Sequence, residues 1–402
     1  MSYGTTRPSA QDQHADFVHL MYRFLTCIWD SRDRDAGFQA AAIVARLRAS
    51  TGVWRTVVDE SGMIVLCIGA DGPTWQTYVL AADGGVILGM LFHQAGSSVS
   101  SACARSFDDQ ESRTIVQTSG KHLIRRYCGR YVAFLRDSLA QRQCILRDPM
   151  GLLPCYGARI QSVDVYFSWL ADAVQAGVPA GRFDSAYMRA RLKGRLAYGR
   201  RTGLMDVSQV LAGERIAHHG GKITRSLLWN PLRECEPPIE DWDHAAAELR
   251  RVTKDVVQAW ARQYDAILHG LSGGLDSSIV LACLRDVSTP ITCMNVFSSG
   301  AGDERAFARS VAQSVGCELL ELHQAAAHVN MQALLRVPPY PEPINCLGWV
   351  EHIQCDAQIA QERGARAIFT GMGGDEIFGR TGAAWAVKDA ARRYGIRPAL
   401  FG

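Results

Sequence analysis

The sequence predicts an α/β protein in two parts: an N-terminal system of antiparallel sheets, then a parallel sheet with flanking helices. Three observations carry this. Between residues 53 and 92, short β-type runs follow one another, parted by Asp/Gly turns such as Ala81-Ala82-Asp83-Gly84-Gly85. From Ala266 onward, apolar strands alternate with helical segments over short connections, the pattern of a parallel sheet covered on both faces. Finally, two apolar strands each end in a glycine-rich turn that carries acids, at residues 271–278 and 371–379.

Composition bounds the function. The chain has 402 residues, 48% apolar and 21% charged, enough for two domains with sizeable cores. A formal net charge of +3 is too mild to argue for nucleic acid or a membrane surface as partner. No apolar run reaches the length of a bilayer span. The start, Met1-Ser2-Tyr3-Gly4, has no signal-peptide pattern, so a cytoplasmic location is expected. Twelve cysteines are scattered without a Cys-x-x-Cys pair. They read as reduced, buried thiols rather than a zinc site.

In chain order, Phe17, Leu20, Met21, Phe24, Leu25, Ile28 and Trp29 recur at helical spacing and predict an amphipathic helix, with a second over 39–47. Strands are predicted over 53–58, 63–68, 76–80 and 86–92, and an alternating strand over 128–134. A basic run, Arg189, Arg191, Lys193, Arg195, Arg200 and Arg201, reads either as a solvated helix face or as a surface that guides an acidic ligand. The prolines and charges of 231–240 read as a linker, which sets the domains at 1–232 and 233–402.

A helix over 244–263 leads into the strand Ala266-Ile267-Leu268 and then into Leu271-Ser272-Gly273-Gly274-Leu275-Asp276-Ser277-Ser278. A turn between strand and helix gathers backbone N–H groups and the positive end of the helix dipole at one point. The glycines let a ligand approach the main chain, the serine hydroxyls add donors, and Asp276 offers a hard oxygen ligand for magnesium. No Gly-Lys-Ser/Thr follows, so this is not the usual phosphate loop of kinases and GTPases. Two other readings stand beside it: a serine-rich helix cap, and the Gly-x-Ser-x-Gly nucleophile elbow of hydrolases, matched by Gly270 to Gly274. The elbow needs a histidine orientated by an acid, and no motif marks His323 or His352 as such. Further strands are predicted over 291–297 and 318–322, parted by a helix over 305–315 that Gly316 ends. Ligands of parallel sheets lie beyond the carboxyl ends of the strands. The loop 272–278, Val296-Phe297 and Thr370 are therefore expected at one crevice.

The first turn resembles the pyrophosphate-binding loop (Ser-Gly-Gly-x-Asp-Ser-Ser) of PP-loop ATP pyrophosphatases. The second, Thr370-Gly371-Met372-Gly373-Gly374-Asp375-Glu376-Ile377-Phe378-Gly379, resembles the Ser-Gly-x-Gly-x-Asp-Glu-x-Phe-Gly-Gly stretch of the asparagine-synthetase family. Upstream, Gly129-Arg130-Tyr131-Val132-Ala133-Phe134, Arg147-Asp148-Pro149-Met150-Gly151-Leu152-Leu153-Pro154-Cys155-Tyr156, Phe167-Ser168-Trp169 and Ala212-Gly213 follow the order of that family's glutaminase-like (Ntn) domain. The resemblance covers roughly residues 85–380. It implies an Ntn-type antiparallel sandwich before a PP-loop domain that uses ATP and Mg2+. By it, Leu271, Ser272, Gly273, Gly274, Asp276, Ser277, Ser278, Val296, Gly371, Gly373 and Gly374 contact the nucleotide, Asp276 and Asp375 hold the metal, and Asp276, Asp375 and Glu376 are the catalytic acids.

The departures narrow the branch. The family's glutaminase uses an N-terminal cysteine, and position 2 here is Ser2; Cys27 and Cys67 lie within the chain. The family's Asn-Gly-Glu-(Ile/Leu)-Tyr-Asn stretch, which binds glutamine, has no counterpart. The amine is then expected to come from a substrate rather than from glutamine. Met372 stands where asparagine synthetases have glutamate and β-lactam synthetases tyrosine. What remains is the lasso peptide macrolactam synthetase branch, with a precursor peptide as substrate and a leader-peptide-binding protein and a leader peptidase as partners. Small-molecule ligation of the asparagine or β-lactam type is the alternative, and a non-catalytic partner-binding member the third reading. The family continues about a hundred residues past the second turn and carries a lysine there. The end at Gly402 suggests a C-terminally shortened domain, with Lys388 too near the turn to be that lysine.

Overall fold

The computed structural model describes residues 22–50, 53–69, 71–72, 75–95, 98–193, 199–234, 237, 239–298, 303–323, 331–335, 337–344 and 349–378. The chain forms two compact units. One takes the described residues within Met1–Gln263 and Val329–Ile353, the other those within Tyr264–His328 and Gln354–Gly402.

The first unit begins with β1 (Arg23–Ile28), α1 (Arg34–Ser50), β2 (Arg55–Glu60), β3 (Met63–Ile68), β4 (Gln76–Val79), β5 (Gly85–Ala95) and β6 (Ser98–Cys103). Two helices follow, α2 (Asp109–Gln117) and α3 (Lys121–Arg126), then β7 (Tyr127–Asp137), β8 (Arg142–Arg147), β9 (Tyr156–Ile160) and β10 (Val163–Phe167). The unit continues with α4 (Leu170–Ala176), α5 (Ser185–Leu192), β11 (Ser208–Gln209), β12 (Glu214–His219), β13 (Lys222–Leu227), α6 (Pro231–Glu234) and α7 (Trp242–Ala261). One antiparallel sheet has the order β11-β9-β10-β1-β3-β2 and the other β13-β12-β8-β7-β5-β4, with β6 paired to β5.

Burial shows how the layers stack. Phe24, Ile28, Met63 and Val65 of the first sheet pack with Val86, Val132, Phe134 and Ile145 of the second. The opposite face of the first sheet, Leu25, Cys27, Leu66 and Val165, is covered by Ala36, Ile43 and Leu47 of α1 and Ala173 of α4. The outer face of the second, Ile87, Leu91, Tyr131 and Leu146, is covered by Ile115 and Leu123 of α2 and α3. The result is helix, sheet, sheet, helix, so the expected antiparallel sandwich is present. Arg147 fastens the β8–β9 connection by donating to the carbonyls of Leu153, Val210 and Gly151 at 2.7, 2.6 and 2.5 Å. Asp148 accepts from the Met150 and Leu152 amides.

One element is corrected. The apolar positions from Phe17 to Trp29 predicted a helix, yet Arg23–Ile28 is the strand β1, buried along its whole length. It lies between β3 and β10, with core on both faces. A strand apolar on both faces satisfies helical spacing by coincidence. Phe17, Leu20 and Met21 lie outside the described residues. The expected linker also begins with the helical turn α6, and its Cys235, Glu236 and Pro238 lie outside the described residues.

The second unit holds β14 (Ile267–Gly270), α8 (Leu275–Leu284), β15 (Ile291–Phe297), α9 (Arg305–Val315) and β16 (Glu318–His323). After α10 (Met331–Leu335), which belongs to the first unit, and α11 (Trp349–Glu362) come β17 (Ala367–Phe369) and α12 (Gly374–Phe378). All pairings are parallel, in the order β16-β15-β14-β17. Leu281 of α8 and Ala308 and Ala312 of α9 cover one face with Cys293. Ile359 and Ala360 of α11 cover the other with Leu268 and Met294. The predicted parallel sheet with helices on both faces is therefore present. Chain order reverses between β14 and β17, the place where such sheets open a crevice at their carboxyl ends.

Candidate functional site

Both glycine turns stand at that switch point. Register pairs His269 with Phe369, so the residues that follow, Gly270 and Thr370, are neighbours, and a Cβ on Gly270 would lie 3.6 Å from the Thr370 methyl. Beyond them the turns press together. A Cβ on Gly371 would stand 2.4 Å from the Ser277 amide nitrogen, and one on Gly374 only 2.3 Å from Asp276 Cγ. No side chain fits at either place. Gly273, at φ +96°, packs its Cα against the start of α9, where a Cβ would meet Ala308 N and the Glu304 carbonyl at 2.9 Å. Three of the glycines named as nucleotide contacts thus also let the protein approach itself. Gly373 differs: its φ is +88° and nothing lies within 4 Å of where its Cβ would be.

The hydroxyls brace the first turn. Ser272 Oγ accepts from the Gly274 amide at 3.1 Å and lies 3.0 Å from Ser277 Oγ. Ser277 and Ser278 donate to the Gly274 carbonyl at 3.3 and 2.7 Å. Helix α8 has Gly274 as its N-cap, so no side chain caps it. Its first-turn amides lack the partner that a Ser or Asp cap supplies, which suits an anion. Leu271 is buried and anchors the turn by donating its backbone N–H to the Met294 carbonyl at 2.8 Å.

The sequence reasoning missed two supports. Asn295, 3% exposed, donates from Nδ2 to the carbonyls of Leu271 at 2.7 Å and Ser272 at 3.2 Å, while its Oδ1 is buried without a partner. His269 is fully buried and its Nε2 lies 2.9 Å from the Ser277 carbonyl. Burial holds its pKa below the ordinary imidazole value. A neutral ring with Nε2–H donating fits that contact. A polar residue within the apolar run of β15 was the available signal for Asn295. Its neighbours divide: Met294 is a core residue, 4% exposed, and Val296 is half-buried against the same cluster.

The acids are set at helix starts. Asp276 lies in the first turn of α8, and Asp375 and Glu376 in the first turn of α12. Asp276 abuts Gly374, whose next residue is the exposed Asp375. Met372 is 76% exposed. Near the ends of β15 and β16, Arg305 lies over the Phe297 ring at 3.7 Å and pairs with Asp303. That guanidinium holds the Asp303 carboxyl down at about 2. Gly379 and Lys388 lie outside the described residues.

Among the described residues, no three His, Cys, Asp or Glu side chains gather into a metal cluster. Two carboxylates at adjoining helix starts nonetheless fit magnesium, which takes few protein ligands and completes its shell with phosphate and water. The described cysteines are free, and Cys27, at the centre of β1, is fully buried, its thiol pushed up to about 12. It is no nucleophile. Among the described residues, no helix is long and apolar enough to cross a membrane.

Residues 248–394 match the family Asparagine synthase, a stretch that contains both turns and every strand of the parallel sheet. No curated protein matches the chain. Among solved structures, it is similar to NMN synthetase from Francisella tularensis (12% identity, 31% of this chain and 52% of that one, TM-score 0.21). It is similar also to glutamine phosphoribosylpyrophosphate amidotransferase from B. subtilis complexed with ADP and GMP (12%, 87% and 90%, 0.28). A third is the glutamine-dependent NAD+ synthetase from Acinetobacter baumannii in complex with ADP (15%, 50% and 44%, 0.24). The chain spans about half the length of the first of these. TM-scores this low carry no argument about function.

Proposed function

We propose that the chain is an ATP-dependent amide ligase that adenylates a carboxylate and closes a macrolactam in a peptide. One observation supports this most: the second glycine turn lies on the first so closely that Gly374 abuts the Asp276 carboxyl, which sets two acid-bearing helix starts at one switch point. The Asparagine synthase match over 248–394 supports ATP as the activating substrate.

In this reading the carboxylate attacks the α-phosphorus of ATP and pyrophosphate leaves. The amine of the same peptide then attacks the acyl-adenylate, releasing AMP. Ser272, Gly273, Gly274, Ser277 and Ser278 form the pyrophosphate turn, with the uncapped amides of α8 directed at the anion. Asp276 and Asp375 would hold Mg2+, which when bound neutralises charge developing on the phosphates. Gly373, with open space on its Cα, is the point where an adenylate meets bare backbone. Positioning and charge neutralisation supply the rate. Glu376 is the remaining acid of the turn. The precursor peptide is the proposed substrate, and a leader-binding protein and a leader peptidase are the proposed partners.

The test is mass spectrometry of peptides from cells carrying the natural gene or Asp276→Ala. A peptide one water lighter than its encoded sequence, present only with Asp276, is expected. Should a small amide metabolite vanish instead, ligation of small molecules replaces the macrolactam reading. Unchanged peptides and metabolites in the variant would sink ATP chemistry altogether.

A further inference from the structure

The first unit contains a cavity that the ligase chemistry does not use. It measures about 350 Å³ and opens at Trp29, just past the end of β1, beside the β12–β13 hairpin. Its wall joins the two sheets. His218 of β12 stands opposite Gln143 of β8 in the ladder, and its Nε2 lies 2.9 Å from the hydroxyl of Tyr166 in the other sheet. Its Nδ1 lies 3.5 Å from Asp164 Oδ2.

Two groups there lack what their burial calls for. Gln143 is 8% exposed and lines the cavity, and its side-chain amide, open to the solvent of the cavity, has no protein hydrogen-bond partner among the described residues. Such an amide is free to exchange water for a ligand. The Asp164 side chain is 15% exposed, and Arg159 serves both of its oxygens from one nitrogen, Nη1, at 3.2 Å each. By contrast, Arg32 holds Asp30 with two separate nitrogens, at 2.9 and 2.7 Å. Burial also raises the Asp164 pKa, although Arg159 and Arg225 both act to lower it.

The lining names the sign of the ligand. Three carboxylates, Asp30, Asp33 and Asp164, face two guanidiniums, Arg32 and Arg159. His218 adds no charge near neutral pH, because burial and the guanidiniums of Arg225 and Arg159 lower its pKa to about 4. We propose that this cavity binds the protonated primary amine of a small molecule, with Asp164 and the Gln143 side-chain oxygen as its acceptors. A molecule the size of an amino acid fits the volume, and the Arg32–Asp30 pair at the rim can meet a carboxylate.

The experiment is thermal unfolding of the full chain with methylamine, glycine or acetate as probe. Methylamine and glycine are expected to raise Tm by at least about 2 °C, and acetate to leave it unchanged. An equal rise with both amines assigns the site to the ammonium alone; a larger rise with glycine adds the rim arginine. Gln143→Leu is expected to remove the rise at little cost to the empty protein, since no partner is lost. Ser31→Trp, which closes the rim without touching the buried groups, is expected to do the same. Asp276→Ala is expected to keep the rise, which separates this cavity from the ATP site. No rise with either amine, an equal rise with acetate, or a rise that persists in both cavity variants would overturn the assignment.

Discussion

At the scale of single residues, the glycines of the two turns were legible and their full reason was not. A ligand-facing glycine and a glycine that lets two loops touch look alike in sequence. At Gly374 the second reason is visible, because any Cβ there collides with Asp276 Cγ at 2.3 Å. Gly374→Ala is therefore expected to push the Asp276 carboxyl out of place. A shift of that kind costs about 100-fold in ATP–pyrophosphate exchange, with circular dichroism unchanged; exchange within a few-fold of wild type would show the contact to be dispensable. Asn295 was not legible in the same way, for it sits in an apolar strand and acts through backbone carbonyls. Asn295→Leu keeps the volume and removes both donors to Leu271 and Ser272. The expected loss is about 1–3 kcal/mol in urea unfolding, with a raised KM for ATP because the turn is no longer held from below.

At the scale of elements, what the sequence revealed depended on how many faces of a strand are buried. The strands predicted over 63–68 and 291–297 agree with β3 and β15. The helix over 305–315 ends at Gly316, at φ +77°, as its left-handed cap requires. The strand β1 failed because core lies on both sides of it, and period is the signal that such a strand lacks. Packing between the sheets also sets a pH response that no local pattern shows. His218 is buried between them with its pKa lowered from 6.5 to about 4. The unfolded chain binds that proton more readily, so the stability it contributes is present above pH 6.5 and is lost as pH falls toward 4. The loss amounts to roughly 3 kcal/mol at most. Asp172, raised from 3.8 to about 6 by burial, acts in the opposite sense between those two pH values, so the comparison has to be made against a variant that keeps it. Urea midpoints of wild type and His218→Gln, taken from pH 7 to 4, are expected to converge on acidification. Parallel curves would mean that His218 titrates normally.

At the scale of the molecule, the sequence order of the halves is not the order of the units. The boundary expected at 232/233 placed everything after it in one domain, whereas α7 and the stretch Val329–Ile353 belong to the first unit. Length and linker composition could not reveal this, because the stretch returns through packing rather than through sequence. The Tyr340 ring meets Tyr156 edge to face at 5.8 Å, and the Gly203 amide donates to the Pro341 carbonyl at 2.8 Å. The stiff run Pro338-Pro339-Tyr340-Pro341 is thus seated on residues of the sandwich unit. Tyr340→Ala should remove about 1 kcal/mol of aromatic contact, and the loss should fall on the first unit although residue 340 lies late in the chain. Fluorescence reports on the first unit, because Trp29, Trp54, Trp75, Trp169, Trp229, Trp242 and Trp260 all fall within it. The variant is expected to lower the fluorescence-detected Tm by about 2–4 °C. If that transition stays fixed while circular dichroism records a loss elsewhere, Tyr340 serves the other unit, and its packing on Tyr156 contributes nothing to stability.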